Sequence, residues 1–288
     1  MAKKWKGSTV LSYRAALMDL QPESARRDIS QSTEFQAFFS GVQAETVLVI
    51  ERESVDIAPI LAHIRATPLE QLSRSELTAR VCWLIGVTGM MRPSDIARVM
   101  VNRTTYLEDG ARLVVLAPKE KRQNMSIERP VYISEHRDSA ICPVRALRYY
   151  IDNVVNDGDE EPLWIDHPRL ADVRYQPLMR YTRDSRRALS SDRISNYIQQ
   201  LMSLAPRTDG KPASARSLGA DNAIRADVPE EVVATQGNWS GTKTVHEHYR
   251  RSMRQRTRMS ERVLGISDTE SATSQSEAKS TNSFDPEK

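Results

Sequence analysis

The hydrophobic pattern of this chain changes its period twice, and this change limits the fold more than any other feature. Residues Leu77–Val87 are almost continuously apolar, which is typical of a buried helix. Three later runs are rich in β-branched and aromatic residues and are separated by polar segments, which favours strands. These runs are Tyr106–Leu107, Arg112–Leu116 and Arg129–Ile133, and helical patterns return at Cys142–Ile151 and Ser191–Leu204. The sequence therefore predicts a mainly α fold with a small antiparallel β-sheet.

Local signals mark several helix ends. Ser73 and Glu76 have the Ser-x-x-Glu spacing of a capping box, so a helix is predicted to start there. Gly89 is the residue expected at its end, in the left-handed conformation. Pro93 and Pro143 suit the first turns of two further helices.

The predicted elements group into three regions. Residues 1–50 show helical spacing at the start and a second short helix around Glu34–Val42, which predicts a small helical domain. Residues 56–264 contain the sheet and the other helices and form the larger predicted domain. Residues 265–288 are rich in Ser, Thr, Glu and Lys with almost no apolar side chains, so a disordered tail is expected.

The charge balance alone does not identify a partner. The chain has 41 Lys and Arg against 38 Asp and Glu, a formal net charge of +3. Arginine-rich runs occur at Arg183–Arg187 and Arg250–Arg258, and such runs are the electrostatic footprint of a phosphate-binding surface. For either run alone, a solvated helix face is an equally good interpretation.

Several functional classes are disfavoured. Cys82 and Cys142 are the only cysteines and lie in apolar or proline-adjacent settings, which predicts reduced, packed thiols in an intracellular protein. No His, Cys or Asp cluster has metal-ligand spacing and no glycine-rich phosphate loop occurs, so neither a metal nor another cofactor is expected. The sequence has no signal peptide and no apolar run of membrane-spanning length, so no membrane partner is expected.

A tyrosine lies beside a basic cluster near the end of the larger predicted domain. Gln236-Gly-Asn-Trp-Ser is followed, after Gly-Thr-Lys, by Thr-Val-His-Glu-His-Tyr249-Arg-Arg. Upstream, Arg92 opens a predicted helix and Arg216 lies in a Ser-Ala-Arg-Ser run. Two arginines, Trp239 and Tyr249 in this order, with a three-stranded β insertion, resemble the catalytic domain of tyrosine recombinases. Ser75–Val99, Cys142–Leu147 and Gly237–Tyr249 look most like the DIRS and Crypton mobile-element branches.

The chemistry of these side chains suits phosphoryl transfer to a phenol. Charge grows on the non-bridging phosphate oxygens during in-line attack, and arginines such as Arg92 and Arg216 present forked cationic donors to them. Tyr249 would be the nucleophile, because a phosphotyrosine linkage preserves the bond energy needed for ligation. Trp239 could donate its indole N–H to a phosphate oxygen. Packing in the core is the alternative role for Trp239, and both roles are compatible.

Two further side chains are assigned from the resemblance. The family places its catalytic lysine at a turn between strands, and Lys119 and Lys121 lie in the polar segment between the predicted strands. Lys119 is favoured over Lys121 as the proton donor to the leaving 5′ oxygen. Asp95 matches the family's acidic residue after the first arginine and could hold Arg92 by a charge-assisted bond. It could equally favour the dipole of the helix as a first-turn acid.

One position departs from the family pattern. The family has a histidine three residues before its second arginine, and here that residue is Ala213. Alanine can neither accept the tyrosine proton nor donate to the phosphate. Lys211, His246 or His248 could partly substitute, the chain could cut slowly, or it could have kept only binding.

The resemblance implies a site-specific DNA recombinase or integrase that forms a 3′-phosphotyrosyl intermediate and serves a mobile element. The alternative is a catalytically silent, domesticated DNA-binding protein of the same fold. Expected partners are double-stranded DNA and further copies of the chain, as a dimer or tetramer on DNA. Residues 1–50 would be a partial helical core-binding domain. The protein would be located in the nucleus of a eukaryote, and otherwise in the cytoplasm. The candidate DNA contacts are Arg183, Arg186, Arg187, Arg250 and Arg251.

Overall fold

The computed structural model describes residues 5–44, 55–123, 125–156, 161–205 and 214–248. The chain divides into two compact units, residues 1–52 and 53–288. The predicted tail 265–288 and the arginine run 250–258 lie outside the described residues. The assignment of the two units to a core-binding domain and a catalytic domain stays a prediction.

The smaller unit contains three helices: α1 (Gly7–Asp19), α2 (Glu23–Gln31) and α3 (Thr33–Ala44). Helices α1 and α3 occur where the sequence predicts them. Helix α2 was not predicted, because its sequence is almost entirely polar and none of its residues is buried. The Arg14 guanidinium of α1 lies over the Phe35 and Phe39 rings of α3, 5.1 and 4.8 Å from their centroids, so a cation–π contact joins these helices.

The larger unit is built around helix α5. Its helices are α4 (Ala58–Ala66), α5 (Arg74–Thr88), α6 (Pro93–Ile96), α7 (Pro143–Tyr150), α8 (Ser191–Met202), α9 (Ala215–Arg225), α10 (Glu230–Gly237) and α11 (Thr242–His248). The predicted capping box is confirmed: the Ser73 N–H donates to Glu76 Oε2 at 2.9 Å, and the Glu76 N–H donates to Ser73 Oγ at 3.3 Å. All residues from Leu77 to Gly86 are buried, so α5 is the core helix that its apolar sequence predicts.

The connection from α5 to α6 differs from the prediction in one detail. Gly89 ends α5 with φ −87°, outside the left-handed region, and the left-handed residue is Met90 at φ 46°. Met90 is buried in a cluster with Ala220, Val233 and Trp239. The backbone strain at Met90 is therefore offset by the burial of its side chain.

A three-stranded antiparallel sheet forms one side of this unit. Strands β1 (Thr105–Tyr106), β2 (Gly110–Arg122) and β3 (Met125–Ser134) follow the order β1-β2-β3. The prediction that Lys119 lies in a polar turn was wrong, because β2 continues through it to Arg122. The regular pairing of β2 with β3 is interrupted between Leu116 and Lys121. Pairing then resumes in the polar part of the strand, where Lys121 lies opposite Ser126. Ala117, with φ 45°, lies within this irregularity.

Two short hairpins were not predicted. Strands β4 (Ile165–Asp166) and β5 (Arg174–Tyr175) form one pair, and β6 (Arg180–Tyr181) and β7 (Asp184–Ala188) form another. Strands of two to five residues are too short to show a recognisable alternation. The arginine run 183–187 therefore lies on a hairpin and not on a helix face.

The described residues form a mostly helical fold with small antiparallel sheets, as the sequence predicts. Helix α5 packs closely on α9, because a Cβ at Gly219 would overlap the carbonyl oxygen of Val87. This contact positions the start of α9 near the end of α5. Within the described residues, no helix is long and apolar enough to cross a membrane.

Candidate active site

The centre of the site is the carboxylate of Asp95 on α6, which is completely buried. Four arginine side chains from three parts of the larger unit approach it. Their distances to its oxygens are 3.4 Å from Arg98 Nη2, 3.5 Å from Arg129 Nη1, 3.5 Å from Arg216 Nη1 and 3.8 Å from Arg92 Nη1. The Asp95 carboxylate also accepts the backbone N–H of Arg92 at 3.2 Å. Asp95 therefore joins α6, β3 and α9 through ion pairs.

Arginines outnumber the carboxylate among these five groups. Four guanidiniums against one carboxylate leave an excess of three positive charges among these five groups. Three of the arginines are buried, whereas the Arg92 side chain is 30% exposed. Guanidinium groups bind phosphate oxygens through charge-assisted hydrogen bonds. The cluster is therefore suited to an anionic ligand that approaches from the side of Arg92.

Arg216 contacts the residues that follow α10. Its Nη2 donates to the Gly237 carbonyl oxygen at 2.7 Å, and its Cζ lies 4.7 Å from the centroid of the Trp239 ring. The Trp239 ring is buried against Met90, Val233 and neighbouring residues. The packing role left open for Trp239 is therefore present, and it includes a cation–π contact with the predicted catalytic arginine.

Arg129 was not predicted as a site residue. Besides its contact with Asp95, its Nη2 donates to the Gln236 carbonyl at 2.6 Å and to the Gly89 carbonyl at 3.3 Å. Arg129 shares the buried face of β3 with Val131 and Ile133, two and four residues further along. A charged residue in register with two apolar ones was the signal that could have identified it.

Gln236 completes the link between α10 and the rest of the site. Its Nε2 donates to the carbonyl oxygens of Thr88 at 3.0 Å and Tyr132 at 2.8 Å. Together with Arg129 and Arg216, it holds the last turn of α10 against the end of α5 and against β3. Cations also suit this position, because the C-terminal end of a helix carries partial negative charge.

The turn after α10 has a narrow steric requirement. A Cβ at Gly237 would overlap the Trp239 ring, so only glycine fits there without a shift of the ring. Asn238 adopts the left-handed conformation, with φ 55° and ψ 40°, and ends α10. The chain then enters α11, whose last residue precedes Tyr249.

The predicted nucleophile itself lies outside the described residues, as do Lys211, Ala213, Arg250 and Arg251. His246 and His248 lie on α11, but their side chains are not described. Their roles stay predictions.

Lys119 is exposed on β2, and the strand that carries it passes next to α6. The Leu116 N–H donates to the Arg98 carbonyl at 3.1 Å, and the Leu116 carbonyl contacts Nε2 of the buried His167 at 3.3 Å. Burial lowers the pKa of His167, and Arg98 and Arg169 lower it further. Neutral His167 can donate to Leu116, and it thereby fixes the strand just before the irregular segment that leads to Lys119.

The candidate DNA contacts Arg183, Arg186 and Arg187 are all exposed on the β6–β7 hairpin. The Arg187 guanidinium lies 5.4 Å from the centroid of the Tyr181 ring. Arg183 lines a polar cavity of about 580 Å³ together with Arg74 and Arg193. These arginines form a basic surface on the larger unit.

No protein-family model and no curated protein matches this chain. Solved structures of recombinases and integrases resemble it. XerA recombinase is 12% identical, with 91% of this chain and 85% of that chain covered and a TM-score of 0.46. A lambda integrase(75-356) dimer bound to a COC′ core site is 15% identical, with 88% and 83% covered and a TM-score of 0.46. An FLP recombinase–Holliday junction complex is 15% identical, with 81% and 52% covered and a TM-score of 0.41. The chain thus spans about half the length of the FLP protein, as it does of a longer lambda integrase chain, of which it covers 53%.

Proposed function

We propose that this chain is a DNA strand transferase that cuts and rejoins DNA through a 3′-phosphotyrosyl intermediate. The observation that carries the proposal is the convergence of Arg92 and Arg216 on the buried carboxylate of Asp95. These arginines come from separate helices, and the sequence assigns both to the scissile phosphate. Their convergence forms a cationic site of the kind that stabilises a phosphoryl-transfer transition state.

The four arginines have different parts in this reaction. Arg92, which is the most exposed, contacts the non-bridging oxygens of the scissile phosphate. The buried Arg216 supplies further positive charge and holds the Gly237 carbonyl at the start of the segment that leads to Tyr249. Arg98 and Arg129 are positioning residues, because they act through Asp95 and through the end of α10.

The proposed chemical step transfers one phosphoryl group. The Tyr249 oxygen forms a bond to phosphorus while the bond from phosphorus to the 5′ oxygen breaks. Lys119 gives a proton to the leaving 5′ oxygen, and His246, His248 or Lys211 takes the proton of the tyrosine in place of the histidine that Ala213 replaces. Attack by a 5′ hydroxyl on the phosphotyrosine reverses these steps and joins the strands.

The wider setting belongs to the same proposal. A mobile element of the Crypton or DIRS kind would use such an enzyme for integration, which places it in the nucleus of a eukaryote. Strand exchange needs two cleavage sites, so several copies would assemble on DNA as a dimer or tetramer. Residues 1–50 would form part of the clamp around the duplex. Support for this setting comes from the sequence resemblance described above.

A nicked suicide DNA substrate tests the proposal. Cleavage next to the nick releases a short oligonucleotide that carries the 5′ hydroxyl, so religation cannot occur and the protein stays attached to the 3′ phosphate. A covalent adduct that survives denaturing electrophoresis supports the strand transferase. If no adduct forms on any sequence from a random-site library while duplex binding is retained, the strand-transferase proposal is wrong.

The second candidate is a catalytically silent DNA-binding protein of the same fold. The observation in its favour is Ala213, which lacks the acid–base group expected before Arg216. This candidate predicts duplex binding without a covalent adduct.

Restoring the missing histidine should accelerate cleavage. A positioned acid–base group contributes ~10²–10⁴-fold to a rate. We expect Ala213→His to increase the single-turnover rate of cleavage within this range, and Ala213→Leu, which adds bulk without an acid–base group, to leave it unchanged. Quenched-flow measurements on the suicide substrate would show this. An unchanged rate in a folded Ala213→His protein would contradict a site that lacks only this group.

Both candidates require salt-dependent binding to duplex DNA. Each neutralised phosphate releases counterions, so the logarithm of the binding constant should fall with the logarithm of the salt concentration by ~0.9 per phosphate contact. We expect Arg187→Gln to reduce this slope by about one contact. Arg65→Gln should not change it, since Arg65 Nε contacts Asp138 Oδ2 at 2.7 Å. Fluorescence anisotropy titrations would measure both slopes, and an absence of duplex binding at low salt would eliminate both candidates.

A further inference from the structure

A second polar cavity, of about 450 Å³, lies in the larger unit. The helical turn Ile151–Val155 and the hairpins β4–β5 and β6–β7 contribute to its wall. None of the four arginines around Asp95 lines it. Its size is within the range of about 300–1,000 Å³ that is usual for small-molecule sites.

Arg180 in the wall of this cavity is buried, and no described carboxylate pairs with it. The residue is 3% exposed, and its Nε and Nη1 atoms have no hydrogen-bond partner among the residues that the structure describes. Across the described ranges between residues 5 and 248, no carboxylate lies within ion-pair distance of it. Burial consequently lowers the pKa of Arg180. A buried guanidinium in this state is energetically costly, and an anion in the cavity would relieve the cost.

The position of Arg180 is fixed by its backbone. Its N–H donates to the hydroxyl oxygen of the buried Tyr150 at 2.9 Å. Strand β6 pairs Arg180 with Ala188, and the preceding residues Leu178 and Met179 are fully buried in the core. The guanidinium is therefore held at the cavity wall by a rigid part of the fold, as a preorganised binding group requires.

The other described residues of the wall suit a phosphorylated ligand. Arg186, Glu161 and Arg174 also line it, and Arg174 Nε contacts Asp166 Oδ1 at 3.7 Å. Ser185 and Gln176 provide uncharged hydrogen-bonding groups, and Trp164 provides an aromatic surface. Arginine guanidiniums bind phosphate through two parallel hydrogen bonds, and aromatic rings stack on nucleotide bases.

We propose that this cavity binds a phosphate group, with Arg180 as its buried contact, at a site separate from the arginine cluster around Asp95. The phosphate could belong to a free mononucleotide or to the backbone of bound DNA. The chemistry of recognition is the same in both cases. The proposal does not depend on strand-transferase activity, because a silent binder would contain the same cavity.

Thermal unfolding and calorimetry of the full chain test the proposal. Inorganic phosphate, adenosine monophosphate and a short duplex are the three probes, each compared with chloride at equal ionic strength. The wild-type Tm should rise with phosphate and with the nucleotide. Arg180→Met should weaken nucleotide binding by about 10- to 100-fold, which is the loss expected for hydrogen bonds to a charged group. Without ligand, its Tm should equal or exceed that of the wild type, because the buried charge is gone.

The control is Arg103→Met, which removes a surface arginine paired with Glu128 at 3.1 Å and should leave nucleotide binding unchanged. If only the duplex stabilises the protein and Arg180→Met removes that effect, the phosphate is that of DNA. Phosphate or nucleotide stabilisation equal in Arg180→Met and wild type would assign binding to other arginines and overturn the proposal. A lack of stabilisation by all three probes would overturn it as well, and the wild-type titration gives this result even if Arg180→Met does not fold.

Discussion

Replacing Tyr249 by phenylalanine is expected to abolish the covalent DNA adduct completely. The substitution removes only the hydroxyl oxygen, which is the atom that would bond to phosphorus. The arginines around Asp95 and the basic hairpin are unchanged, so duplex affinity should stay within about twofold of the wild type, a difference below ~0.5 kcal/mol. Denaturing electrophoresis of the suicide-substrate reaction measures the adduct, and fluorescence anisotropy measures the affinity.

The matched control is Tyr132→Phe. Tyr132 is an exposed phenol on β3, and its backbone carbonyl, which accepts from Gln236, is retained in the variant. Adduct formation should therefore continue at the wild-type rate. An adduct in Tyr249→Phe at the wild-type level would mean that another residue is the nucleophile. Peptide mapping of that adduct would identify the residue.

The parts of the fold that could be predicted from the sequence are those in which local and long-range preferences agree. In α5, a capping box at Ser73 precedes an unbroken apolar run, so the helix is marked both by its end and by its burial. Helix α7 is similar, since Pro143 occupies its first turn and apolar residues follow at helical spacing. Helix α2 has neither signal, and its polar sequence does not distinguish it from a loop.

The site residues were predicted from a family resemblance and not from hydrophobic or capping patterns. Arg92, Arg216 and Trp239 were predicted because their types and order resemble a known family. In the structure, Arg92 and Arg216 both contact Asp95, and Arg216 lies over the Trp239 ring. Arg129 was not predicted as a site residue, although its register on β3 places it on the buried face with Val131 and Ile133. No sequence pattern indicates that Asp95 contacts four arginines. The contacts with Arg129 and Arg216 depend on how α6, β3 and α9 pack, and the contact with Arg98 depends on side-chain geometry.

The largest expected effect on stability follows from neutralising Asp95. Its carboxylate is the negative partner of Arg92, Arg98, Arg129 and Arg216, and three of these guanidiniums are buried. Removing one partner of a buried ion pair costs ~3–5 kcal/mol, because the remaining charge stays buried without compensation. We expect Asp95→Asn, which preserves the shape of the side chain, to lower the free energy of unfolding by this amount. Urea denaturation followed by circular dichroism would measure it.

Asp138→Asn is the matched control for this prediction. Asp138 contacts Arg65 at 2.7 Å, which is closer than any ion pair of Asp95, but both side chains are partly exposed. Exposed pairs contribute about 0–1 kcal/mol, so Asp138→Asn should have a small effect in spite of its shorter distance. If the two substitutions lower the free energy of unfolding by similar amounts, burial does not strengthen the ion pairs of Asp95. The inference that the Asp95 carboxylate is what holds this buried group of arginines together would then fail.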